Sequence, residues 1–212
     1  MTLNSTQSDD TRREERRLEN RWLGVQKRRK GKGSHSAVQT GVKPGCEFDD
    51  PIGMLKDFHR KIKRSLHVLW VIADRAVGRE LTSEEIAAVR SAMDFVRVDG
   101  TRHTADEEES LFPWLRAKAI TGDSEELGVL EDNRRQADQL HAIVESLYSA
   151  WISAGALRPK SQLRLQSCTE SLKRLSEQHI QVEEQIVFPR AQQVLDGRAV
   201  AAIGQEFRAR RS

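Results

Sequence analysis

Aromatic side chains are scarce in this chain, at 5% of 212 residues, and tyrosine occurs once. Sheets draw on aromatic and β-branched residues, so the shortage argues against a β protein. Proline is also rare, with five in all, whereas Leu, Ala, Glu, Arg and Gln, the residues of helices, are plentiful. The two cysteines, Cys46 and Cys168, lie far apart and in no paired-ligand spacing. That excludes a disulfide framework and a cysteine zinc site, and it predicts a reducing, cytoplasmic setting. No stretch approaches the roughly 20 apolar residues of a membrane span, and the N-terminus has no apolar signal core. The expectation is an all-helical cytoplasmic protein with no membrane partner.

What is present is distributed unevenly. The net charge is only +3, yet Arg12, Arg13, Arg16, Arg17, Arg21 and the run Lys27–Lys32 crowd the beginning. Such an arm can contact nucleic acid, but only Trp22 interleaves the cations, so residues 1–50 read as a solvated, disordered basic arm. From Pro51 apolar residues recur at helical spacing (Ile52, Leu55, Ile62, Leu66, Leu69, Ile72) until Gly78, giving a first helix. A second starts near Thr82 or Ser83 with a near capping box and runs to about Ala117, weakened at Val98, Asp99 and Gly100. Ser124 can cap a third, to about Ser153; Pro159 opens a fourth, to about Leu195; and residues 196–212 form a short basic C-terminal helix. Four long helices with short connections predict an antiparallel up-down four-helix bundle over residues 51–195.

An internal repeat carries the chemistry. His103, Glu107, Glu108, Phe112 and Pro113 recur as His179, Glu183, Glu184, Phe188 and Pro189, each 76 residues further on. The preceding helices also correspond, since the segment from Asp57 to His67 aligns with Glu131 to His141 at an offset of 74. The bundle is therefore two similar helical hairpins. On a helix, positions i and i+4 differ by about 40° and about 6 Å, so His103 with Glu107, and His179 with Glu183, each project from one face. A single such pair on a helix is most often a surface ion pair. Its duplication, next to Leu111, Phe112, Ile186, Val187 and Phe188, turns the reading towards metal. Imidazole nitrogens and carboxylates on facing helices suit iron, manganese or zinc.

His59 supplies a further ligand from the first helix, and Asn133 takes the equivalent place on the third. His141, the one histidine of that third helix, lies about 12 Å beyond Asn133 along the axis and enters the site only if the helix shifts. Glu108 and Glu184 project about 140° from their histidines, which suits solvent, an arginine partner or support of a ligand.

These residues, above all His-Thr-Ala-Asp-Glu-Glu-Glu-Ser-Leu-Phe-Pro, resemble the hemerythrin-like or His-His-Glu (HHE) cation-binding family over roughly residues 51–195. The resemblance implies a non-haem diiron centre held by His59, His103, Glu107, His179 and Glu183, with His141 as a candidate to complete it. It also implies a small ligand: dioxygen, nitric oxide or peroxide, bound or sensed. Asn133 departs from the family's histidine, leaving the centre mononuclear, diiron with added water or hydroxide, or completed by His141. Two other readings stand beside it: a diiron enzyme that reduces peroxide or nitric oxide with a partner's electrons, and a metal-free interaction bundle.

Overall fold

The computed structural model describes residues 47–118 and 123–212, without the side chains of residues 47 and 123–127. Most of the predicted basic arm, Cys46 and the side chain of Ser124 lie outside the described residues. A 3-10 turn, Glu47–Asp49, leads into α1 (Pro51–Arg75). Next, α2 (Ser83–Ala105) continues through a π-helical turn (Asp106–Leu111) into α3 (Phe112–Ala117). After α4 (Asp123–Ala154), α5 (Pro159–Val182) likewise continues through a π turn (Glu183–Val187) into α6 (Phe188–Val194), and α7 (Gly197–Ala209) follows. The described residues contain no strand and no helix long and apolar enough to cross a membrane.

Helix α1 starts where its chemistry allows. The Asp50 carboxylate accepts the Gly53 N–H at 2.9 Å, and Pro51 sits in the first turn, where a missing N–H costs nothing. Its buried residues Ile52, Leu55, His59, Ile62, Leu66, Leu69 and Ile72 form one stripe at helical spacing. Burying each large aliphatic side chain stabilises the fold by roughly 1.5–3 kcal/mol, so the stripe fixes the helix rotation and turns His59 inward. At the start of α2, Thr82 and Glu85 form the capping box: the Thr82 hydroxyl accepts the Glu85 N–H at 3.2 Å, and the Glu85 carboxylate accepts the Thr82 N–H at 2.8 Å. Gly78 and Gly155, at φ +75° and +76°, supply the left-handed residues after α1 and α4.

The weak point of the second rod is elsewhere than expected. Residues 98–100 are regular helix, and the irregularity falls at Asp106–Leu111, with a counterpart at Glu183–Val187. Pro113 and Pro189 explain both. A proline has no N–H for the carbonyl four residues earlier, and its ring collides with that carbonyl in a regular α-helix. A widened turn removes the collision, and Phe112 and Phe188 donate their N–H five residues back, to Glu107 and Glu183.

Helix α1 packs along α2 and α5, and α4 packs along α5, while α4 meets α2 and α3 at fewer places. Stacked Tyr148 and Trp151 fill the core at one end: the tyrosine hydroxyl donates to the Leu69 carbonyl and the indole N–H to the Arg79 carbonyl at 3.0 Å. A second cluster, including Leu111, Phe112, Leu115, Leu130, Phe188 and Phe207, lies under the π turns and is closed by α7. Residues 47–50, assigned to the arm by composition, belong to this packing through Phe48. Gly204 of α7 lies so close to the 3-10 turn that a Cβ would stand 1.9 Å from the Phe48 carbonyl oxygen.

Replacing Gly204 by alanine forces backbone apart and should destabilise the protein by about 1–3 kcal/mol. Gly100→Ala, in an open helical position with nothing within 4 Å of the new Cβ, should instead stabilise it by about 0.5–1 kcal/mol. Urea unfolding of the two variants checks the pair, and equal effects would remove the close-approach account of α7.

Candidate metal centre

Four side chains from three rods meet in the interior. His59 comes from the α1 stripe, His103 from the last turn of α2, and Glu107 and Glu183 from the two π turns. All four are buried, both glutamates to 0% exposure, and one donor atom from each lies within 4.8 Å of all the others. The His103 Nε2 is 3.1 Å from Glu107 Oε1, and His59 Nε2 is 3.2 Å from Glu183 Oε2 and 4.0 Å from Glu107 Oε1. On the other side of the second glutamate, His179 Nε2 approaches Glu183 Oε1 at 2.9 Å.

These contacts are close without the directions of hydrogen bonds. His59 Nε2, Glu107 Oε1 and both Glu183 oxygens have no hydrogen-bond partner among the described residues. Buried carboxylates and lone pairs facing one another are strongly unfavourable in a dry interior unless a cation stands between them. A metal bonded at about 2.0–2.2 Å spaces its ligands by up to about 4.4 Å; the 3.1, 3.2 and 4.0 Å separations fall within this, and the widest, 4.8 Å, requires the donors to draw together slightly. Nitrogen and carboxylate donors in this mixture fit iron, and also manganese or zinc.

The electrostatics agree. Burial pushes the Glu183 carboxyl up, but His179 and His59 outweigh it and hold the group well below the usual carboxylate range. Burial lowers the His59 value, yet Glu183, Glu107 and Glu184 more than reverse this and raise it above the ordinary histidine value. The pocket is thus a negative field waiting for positive charge.

The family model of the hemerythrin HHE cation-binding domain matches residues 50–191. The chain belongs to that family. No curated protein matches it.

Around the HHE centre, a further layer of contacts orients the donors. His59 Nδ1 lies 3.0 Å from Glu184 Oε1, so the proton sits on Nδ1 and the Nε2 lone pair is turned towards the metal position. Lys63 Nζ is 3.8 Å from the other Glu184 oxygen. The His103 ring stacks on Phe58 at 4.0 Å, and the His59 ring on Phe188 at 5.4 Å, which holds both planes. Glu184, one of two carboxylates that spacing directed away from the histidines, therefore serves the site from the α1 side. Its repeat partner Glu108 instead accepts from Arg134 Nη1.

Six residues stood as candidate ligands in the sequence. His59, His103, Glu107 and Glu183 come together, and His179 adjoins them through Glu183. His141 is outside the group and outside the cavity wall. Burial lowers its imidazolium value against the pull of Glu145 and Asp138. The wall position on α4 belongs to Asn133, beside Arg134 and Ala137. Arg134 had no signal in the repeat, because its counterpart Arg60 is an exposed surface residue paired with Asp57.

Glu184→Gln keeps the shape but weakens the acceptor for His59 Nδ1–H. It should lower metal affinity by about 10–100-fold in a chelator competition titration, whereas Glu177→Gln, at a surface pair with Lys173, should leave it unchanged. Equal affinities in all three proteins would rule out the Glu184–His59 relay.

Proposed function

We propose that this protein is a non-haem iron protein that binds or senses a small ligand, namely dioxygen, nitric oxide or peroxide. The observation that carries the reading is the position of the four converging donors beside a cavity of about 100 Å³. A water molecule takes roughly 30 Å³ of the liquid, so such a space is ample for a diatomic or triatomic ligand. Phe58, Ile62, Ala137, Leu175 and Ile180 make its wall largely apolar, while Asn133, Arg134 and Ser176 place polar groups on one side. In this reading the four rods form an antiparallel up-down bundle of two hairpins, and all four contribute to the cavity wall.

His59, His103, Glu107 and Glu183 would hold the iron. Iron supplies an open coordination position and an electron that can be shared with the ligand. The chain supplies the rest. Glu184 keeps the His59 proton on Nδ1, the apolar wall excludes water, and Asn133 and Arg134 offer N–H donors towards the cavity.

Anaerobically prepared protein loaded with ferrous iron should change its visible absorption on exposure to at least one of the three ligands. Ala137→Phe replaces no proposed ligand and narrows the cavity, so it should retain iron and lose at least about tenfold in ligand response, a factor worth about 1.4 kcal/mol. An iron-loaded wild type that responds to none of them, or a variant that responds as well as wild type, would overturn the ligand-binding reading.

A further inference from the structure

The third rod contributes no metal ligand to the wall of the site. It presents Asn133, Arg134 and Ala137, and of these the arginine reaches furthest into the charge system. Arg134 Nη2 lies 3.1 Å from Glu107 Oε2, the oxygen turned away from His103, and Nη1 binds Glu108 Oε1. The side chain is only 14% exposed, whereas Arg60, which holds the corresponding place in the first hairpin, is 62% exposed. A guanidinium with its donors in a fixed fork binds the carboxylates of two consecutive residues as a metal ion would, with permanent positive charge.

We propose that the centre holds a single divalent metal ion and that Arg134 takes the part of a second cation. This rests on the metal-binding reading above and specifies its stoichiometry. The charges support it. Glu107, Glu108, Glu183 and Glu184 bring four negative charges around the site. Arg134, Lys63 and one divalent ion return four positive ones, and a second divalent ion would leave this partly exposed set two positive charges in excess. Geometry points the same way, since the convergent donors form one group within 4.8 Å, and Glu107 has one oxygen for the metal and the other committed to Arg134. On the side of His179, an added metal would find that histidine and a Glu183 oxygen, with an amide, a guanidinium and a methyl group on the facing helix.

The test is an anaerobic titration of the full chain with ferrous iron, with bound metal counted by elemental analysis and the oxidised product examined by electron paramagnetic resonance. The wild type should saturate at one equivalent and give the signal of an isolated high-spin ferric ion. Asn133→His alone should remain at one, because the guanidinium is still in place, and Asn133→His combined with Arg134→Gln should take up a second. Two equivalents in the wild type, or in Asn133→His, would overturn the role of Arg134 while leaving the metal centre intact. No uptake by the wild type would overturn both. The wild-type count needs no substitution, so it decides even where the double variant fails to fold.

Discussion

Two glutamates carried to complete burial, each against the imidazole of its own helix, set the terms for everything else in this bundle. A buried carboxylate stays ionised only where positive charge or donors reach it, and at Glu107 Oε1 and both Glu183 oxygens no hydrogen bond does so among the described residues. The stripe of α1 must hold His59 at the right rotation, the π turns must bring the glutamates in, and the aromatic rings must keep the imidazoles in plane. Without a cation, the four rods pack around a centre that resists packing. With one, the binding energy of the metal becomes part of the stability of the fold.

The same accounting of charge extends outward from the first π turn. Asp106, next to Glu107 in sequence, is 1% exposed and faces away from the cavity, where Arg210 and Arg211 at the end of α7 bind it. Arg210 also reaches Glu109. Thus the acidic stretch from Asp106 to Glu109 is divided among three destinations: the C-terminal arginines, the metal position and Arg134. Its local concentration of like charge is tolerated because every one of the four carboxylates meets a cation, Asp106 and Glu109 sharing Arg210 and Glu107 and Glu108 sharing Arg134.

Much of this was legible in the residues. The helical periods of the first and fourth rods, the glycine stops and the duplicated His-x-x-x-Glu placed the rods and the donors, because periodicity and spacing are local properties of the chain. What escaped depends on contacts between rods. Arg134 looks like Arg60 in the repeat, and only the tertiary arrangement separates a surface cation from a buried one. His141 has the composition of a ligand, but the rise of the helix carries it two turns past Asn133. The π turns had a sequence signal, the recurrent Phe-Pro, while attention to Val98, Asp99 and Gly100 followed intrinsic propensity, which tertiary packing overrides.

Those paired π turns change what kind of genetic accident the site can survive. Between histidine and proline the two motifs differ at six of eleven letters yet agree in length, His103 to Pro113 and His179 to Pro189. The widened turn consumes one more residue than a regular helix would, so removing any one codon between Glu108 and Leu111 leaves every donor encoded. It also returns the rod to regular winding, in which the ring of Pro113 collides with the carbonyl four residues earlier. Phe112 and Leu115 keep their facing, but the helix that carries them kinks or breaks at the proline. For this centre, reading length is inherited information as much as residue identity is.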